Sequence, residues 1–196
     1  MAERPITPSQ TVGPFFAFSL TPVDYPYPAL VGNDLLTEDA VGEPIRIEGR
    51  VLDGAGSPVP DAMIEIWQAD GAGHYAGNDS APLPNTAFKG FGRCATDREG
   101  NFSFRTLKPG SVPAPDGRPQ APHINIGLFA RGLLRRLFTR IYFEGEAAND
   151  GDPVLALVPH EARKTLIARR TESEGAAAYV FDIRLQGDDE TVFFEA

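Results

Sequence analysis

The 196 residues are 42% hydrophobic and 23% charged, enough apolar material for one packed domain or for a domain with a long extension. A formal net charge of -9 argues against a polyanion, whether nucleic acid or an anionic membrane surface, as the main partner. The lone cysteine, Cys94, rules out an internal disulfide, no stretch has the length of a membrane-spanning helix, and the opening MAERPITPSQ lacks the apolar core of a secretory signal, so a soluble cytoplasmic protein is the expectation.

Residues 1–42 are dense in proline and aromatic side chains and carry neither helical nor strand period, which predicts an extended arm lying on a surface. An arm so apolar packs on its own domain or on a partner chain. From Ile45 onward come short β-rich runs: IRIEGRVLD, AMIEIWQA, NFSFRTLK, HINIGLFA, LFTRIYF, AYVFDIRLQ and TVFFEA. Alternation at Ile45 and Ile47, at Phe102 and Phe104, and at Ile124, Ile126 and Leu128 predicts strands with one buried face. Turn strings separate them, among them DGAGSPVPD, DREGN, KPG and QGDDE. Residues 160–171 (HEARKTLIARRT) follow Pro159 and place Ala162, Leu166 and Ile167 at helical spacing, which predicts one short helix. The predicted fold is mostly β: a two-sheet antiparallel β-sandwich with an extended N-terminal arm and one short helix. It forms a single domain over 1–196, with 1–42 the arm and 43–196 the core. There is no internal repeat, phosphate-cradling glycine loop, Gly-x-Ser-x-Gly elbow or Cys-x-x-Cys pair.

His123-Ile124-Asn125 lies in one of these runs. On a strand, residues i and i+2 share a face, so His-x-His there would aim two imidazoles at one metal ion; here the second is an amide. Only three histidines are present. His160, at the predicted helix start, reads as a polar surface residue, and His74 in Gly-His-Tyr reads as a loop residue. Pattern alone leaves His123 between a hydrogen-bonded structural role, the commoner case, and a ligand; Trp67 stands between core packing and cofactor contact. The cluster Arg131, Arg135, Arg136 and Arg140 runs against the acidic average and reads as a solvated or subunit-facing strand, or as a seat for an anionic ligand.

TPSQTVGPFF at 7–16, GRVLDGAGSPVPDAMIEIWQADGAGHY at 49–75, FGRCATDREGNFSFRTLKPG at 91–110, APHINIGLFARG at 121–132 and YVFDIRLQGDDETVFFE at 179–195 together resemble the intradiol ring-cleavage dioxygenases. The resemblance is to the alpha type of chain in those enzymes that pair alpha with beta chains. It implies a beta subunit that holds a non-haem ferric ion with two tyrosines and two histidines, in a hetero-oligomer of alpha-beta protomers. The matching positions here are Tyr75, Val112, His123 and Asn125. Valine has no lone pair and a neutral amide is a poor substitute for an anionic donor, so the resemblance implies no metal and no catalytic residue in this chain alone. It also implies that Thr11, Gly13, Pro14 and Arg131 meet the substrate at the subunit junction: Gly13 permits close backbone approach, Pro14 stiffens the arm, Thr11 offers a hydroxyl and Arg131 a guanidinium for a carboxylate. The reaction implied is cleavage of protocatechuate by O2 to 3-carboxy-cis,cis-muconate in aromatic catabolism. Two alternatives stand beside it. One is a self-sufficient iron dioxygenase in which Tyr142 or Tyr179 completes the ligand set. The other is a transthyretin-like binding sandwich, suggested by residues 49–67 alone and disfavoured by the matches further along the chain.

Overall fold

The computed structural model describes residues 16–22, 25–77, 87–173 and 175–195. Within them one α-helix, α1 (Phe16–Leu20), precedes eleven strands: β1 (Pro44–Leu52), β2 (Met63–Trp67), β3 (Phe91–Ala95), β4 (Asn101–Leu107), β5 (Val112–Pro113), β6 (Pro119–Gln120), β7 (His123–Phe129), β8 (Leu137–Phe143), β9 (Ile167–Ser173), β10 (Ala176–Val180) and β11 (Ile183–Arg184). The alternation read from the sequence is the alternation of burial. Ile124, Ile126 and Leu128 of β7 point into the main core with Ile45 and Ile47 of β1, Ile64 and Ile66 of β2 and Phe102 and Phe104 of β4.

The hydrogen-bonded order is β11-β1-β10-β9-β8-β7-β2-β3, with β4 on the other edge of β1. The mostly β content matches the expected class. The ladder differs from two separate antiparallel sheets: it is one continuous, nearly closed, barrel-like path of mixed sense. β1 runs parallel to β10 and β11, and β8 runs parallel to β9 through two register pairs, Tyr142 with Ile167 and Phe143 with Ala168. β9 joins the two halves of the path, and the tight turn between β3 and β4 brings its far edges together.

Three turns share one construction. In each, an aspartate (Asp53, Asp70, Asp97) accepts the backbone N–H groups two and four residues ahead through Oδ1, at 2.8–3.0 Å. Its carbonyl accepts the N–H of a glycine three residues on, Gly56, Gly73 or Gly100, each at positive φ. This Asp-x-x-Gly device, legible as DGAG, DGAG and DREG, sets the hairpin bends and, at Asp70, aims the segment that carries His74 and Tyr75.

Two elements depart from expectation. The helix predicted over 160–171 is a 3-10 turn at Arg163–Leu166 followed by β9. Leu166 is buried in a second, smaller cluster while Ala168 enters the main core, so the helical spacing of Ala162, Leu166 and Ile167 is a coincidence of two cores, overridden by pairing with β8 and β10. The described part of the arm is not wholly extended, since α1 lies in it. Beyond α1, Leu35 enters the core, its N–H donates to the Arg105 carbonyl at 2.8 Å and Arg93 donates to Gly32 at 2.9 Å, which lays this segment over β3 and β4.

Candidate functional site

β7 lies between β2 and β8, antiparallel to both, so the residues facing away from the main core form a patch across three strands. Asn125 stands opposite Trp67 on one side and Arg140 on the other, and His123 stands opposite Tyr142. Directly opposed side chains are neighbours on one face, which puts Trp67, Asn125, Arg140, His123 and Tyr142 together by register alone.

Tyr75 reaches the patch from the Asp70 turn. Its ring stacks on Trp67 with centroids 6.0 Å apart and planes 9° from parallel, and its hydroxyl accepts the Asn125 amide Nδ2 at 3.3 Å. The same Nδ2 donates to the Trp67 carbonyl at 3.2 Å. The Lys-Pro-Gly turn closes on this segment: Gly110 N–H donates to the Asp70 carbonyl at 2.8 Å, a side chain at Gly73 would run into the Ser111 carbonyl, and a Cβ at Gly110 would stand 2.6 Å from Gly73 N. Val112, 5% exposed, follows on β5 and pairs with Gln120 of β6.

Behind the patch lies a buried polar network. Arg140 Nη1 donates to Gln120 Oε1 at 2.8 Å and to the Tyr142 hydroxyl at 3.4 Å. Tyr142 donates to Asp152 Oδ1 at 3.0 Å, and Asp152, which is fully buried, also accepts the N–H groups of Ala121, Val154 and Leu155 at 2.7–2.9 Å. The segment carrying Asp152, Leu155, Val158 and Leu166 covers Tyr142 and Ala121 with a second apolar cluster. That lid leaves His123 3% exposed, its Nδ1 donating to the Ala121 carbonyl at 2.8 Å. Burial, aided by the Arg140 charge, pushes the His123 imidazole down to about 4, so it is neutral near pH 7. Burial likewise raises the Tyr142 phenol well above its ordinary range.

Register and the Asn125–Tyr75 bond thus bring Tyr75, His123 and Asn125 together, with Val112 attached through Gln120 and Arg140. A ferric ion wants anionic oxygen donors and a complete set. Here Asn125 offers at best a neutral amide oxygen, Val112 offers only an isopropyl group, and one His123 nitrogen is held by Ala121. The donor set does not fit ferric iron, and among the described residues no group of three or more His, Cys, Asp or Glu could hold a metal. Neither alternative tyrosine repairs this. Tyr179 packs edge-on against Phe143 in the main core, centroids 4.8 Å apart, and Tyr142 is committed to Asp152.

The other expected positions lie elsewhere. Thr11, Gly13 and Pro14 fall outside the described residues. Arg131 is six residues beyond Asn125, roughly 20 Å along an extended chain, past the opposite end of β7; it is exposed and ion-paired with Asp61. The sequence reasoning missed Gln120 and Asp152 altogether and saw Arg140 only as part of a basic cluster; the period-2 position of Arg140 against Asn125 was the signal available for it. His74 is exposed, its Nδ1 3.7 Å from Asp70 Oδ2, as befits a loop residue, and Trp67 is 42% exposed rather than core.

The profile of the Dioxygenase family matches residues 13–187. The chain is 48% identical over 197 residues to the protocatechuate 3,4-dioxygenase alpha chain of Pseudomonas putida, covering 97% of this chain and 96% of the relative. It is 40% identical over 186 residues to the protocatechuate 3,4-dioxygenase beta chain of Burkholderia cepacia, covering 89% and 77%. Among solved structures, the dioxygenase domain of a dioxygenase carbohydrate-binding protein fusion from Streptomyces sp. SirexAA-E superposes with a TM-score of 0.61 at 27% identity, covering 83% of this chain and 94% of that one. No helix among the described residues is long and apolar enough to cross a membrane.

Proposed function

The chain belongs to the intradiol ring-cleavage dioxygenase family, and on that premise we propose that it serves as the iron-free, alpha-type subunit of a protocatechuate 3,4-dioxygenase. Similarity to both alpha and beta chains supports a partner of the beta type, in a hetero-oligomer of alpha-beta protomers. The non-haem ferric ion used by the family sits in that partner. The complex inserts both atoms of O2 between the hydroxyl-bearing carbons of protocatechuate, giving 3-carboxy-cis,cis-muconate in aromatic catabolism, in the cytoplasm.

The observation that carries this reading is the donor deficit on an otherwise complete frame. Tyr75 and His123 are present, while Val112 and Asn125 stand where two further donors would be needed. The chain's own contribution is shape, exclusion of water and part of the field that seats an anionic substrate at the junction of the subunits. Thr11, Gly13 and Pro14 of the arm and the Arg131 guanidinium are the residues assigned to that junction. Arg131 suits the role because among the described residues its one partner is the carboxylate of Asp61, in an exposed pair and so a weak hold that a substrate carboxylate can displace. We read the curled sheet as two facing layers of one domain, β4-β1-β10-β9 and β8-β7-β2-β3, in the manner of a sandwich.

The test is purification of the full chain alone and after co-expression with a beta-type partner. Iron, a ferric-tyrosinate charge-transfer band and ring-cleavage activity are expected only with the partner. Stoichiometric iron with that band in the separate chain refutes the assignment.

A further inference from the structure

Two exposed apolar side chains lie toward opposite ends of β2, and each is flanked by charge of one sign. At one end Leu134, 76% exposed, tips the β7–β8 hairpin in the run Arg131-Gly132-Leu133-Leu134-Arg135-Arg136, whose arginines are exposed too. At the other end Val41, 71% exposed, stands among Glu38, Asp39 and Glu43, all exposed. Among the described residues Arg135, Glu38, Asp39 and Glu43 enter no ion pair. The molecule thus presents one basic and one acidic tip, each with an apolar residue at its centre.

Both tips are tied to the fold. In the basic one Gly132 takes a positive φ of 82°, Leu133 N–H donates to the Ala130 carbonyl at 3.3 Å and the Leu133 side chain packs against the main core. In the acidic one Ala40 N–H donates to Thr37 at 3.1 Å, while the carbonyls of Val41 and Glu43 accept from Gly71 at 3.2 Å and Lys108 at 2.8 Å. Tips fixed in this way lose little backbone freedom on binding. β2 sets their separation: Asp61, just before it, pairs with Arg131, and Gly71, just beyond it, bonds Val41. Its five residues alone span roughly 17 Å, about twice the screening distance of physiological salt. The acidic tip of a chain therefore cannot answer its own basic tip. A foreign acidic partner would use one tip and a foreign basic partner the other; a second copy of this chain uses both.

We propose that Leu134 and Arg135 of one copy dock against Val41, Glu38 and Asp39 of the next, in a head-to-tail contact between chains of this type. The two apolar tips meet, and the charges around them pair. Because the two patches differ, the contact is heterologous, so it repeats around a ring or along a row instead of ending at a two-fold dimer. Arg131 stays with Asp61 and is not used, which leaves it to the substrate junction. The contact is independent of which subunit holds iron.

The experiment is sedimentation velocity of the full chain at low salt, at concentrations up to about 0.1 mM, where a micromolar contact is saturated. Circular dichroism is the fold control. The parent chain should sediment as a multimer that dissociates as salt is raised, because the paired charges lie at the surface. Two variants neutralise one tip each: Leu134→Ser with Arg135→Gln, and Glu38→Gln with Asp39→Asn. Each alone should weaken association at least about tenfold, as loss of a contact's central anchors does. Mixed in equal amounts, the two should form a species of two chains and no larger, since each brings the one intact tip that the other lacks. A parent chain that stays single at low salt overturns the inference, as does a multimer that either variant leaves unchanged, or a mixture that forms no two-chain species. Capture of a beta-type partner that both variants abolish, with the parent chain single on its own, assigns the tips to that partner and overturns it too.

Discussion

Replacing Asp152 by asparagine should destabilise the chain by about 2–4 kcal/mol although the side chain keeps its shape. Asp152 Oδ1 accepts from Tyr142 and from the N–H groups of Val154 and Leu155, and an amide oxygen can take over those bonds. Oδ2 accepts from Ala121 N–H at 2.8 Å, where both residues are fully buried, and the new NH2 would face that donor with one of its own. The loss is one bond to a charged acceptor plus two donors stranded away from water, each costing about 1–3 kcal/mol, reduced by whatever relaxation the 3-10 turn after Asp152 allows. Tyr142→Phe removes one bond and leaves the carboxylate with three backbone donors, so it should cost about 1–2 kcal/mol. Equilibrium unfolding of the two variants beside the parent chain measures both. At about 2–4 °C per kcal/mol for a chain of this size, Asp152→Asn should lower Tm by roughly 5–15 °C. A loss under about 1 kcal/mol for Asp152→Asn, or a larger loss for Tyr142→Phe than for Asp152→Asn, would refute the view that this carboxylate ties the lid to the sheet.

Because His123 is held near 4 when folded and returns to about 6.5 when unfolded, the unfolded chain binds the extra proton below pH 6.5 and stability falls from there toward pH 4, by roughly 3 kcal/mol in all. His123→Gln should flatten that part of the stability–pH curve, measured by denaturation at fixed pH values, and should leave the iron content of the assembled complex unchanged. Arg131→Ala should raise KM for protocatechuate more than for catechol, which lacks the carboxylate, at nearly unchanged stability because its pair with Asp61 is a surface one. Val112→Tyr with Asn125→His should give the separate chain a ferric-tyrosinate band on reconstitution that neither single variant shows, since each alone leaves the ligand set one short.

Much of this molecule is written locally. A strand with one buried face must alternate, so β1, β2, β4 and β7 could be read from their own residues, and the Asp-x-x-Gly turns announced themselves because one side chain and one glycine make the whole bend. What depends on distant partners was not legible. The parallel pairing of β1 with β10 joins residues more than 130 positions apart, and nothing in the string IRIEGRV distinguishes a parallel neighbour from an antiparallel one. Residues 160–171 misled for a related reason: Leu166 and Ala168 are apolar on account of two different cores, and spacing along one segment cannot separate them.

The site divides the same way. His123 and Asn125 could be placed on one face because a strand fixes which side chains share it, whereas Tyr75 was joined to them only through the family resemblance. Asp152 sits in the string AANDGDP, which reads as surface turn chemistry; its burial comes from the lid folding onto Tyr142 and Ala121. On the proposed iron-free reading, the groups that satisfy one another here also account for a site that needs no metal. Asn125 gives its amide protons to Trp67 and Tyr75, and Val112 fills its place in the hairpin with an apolar side chain. Neither leaves a buried charge or an orphaned donor behind, whereas deleting a ligand to alanine would have left Tyr75 with an unanswered hydroxyl. A frame whose polar groups answer each other can persist without an ion at its centre, and here the Arg140 guanidinium and the Asp152 carboxylate meet through the one Tyr142 hydroxyl.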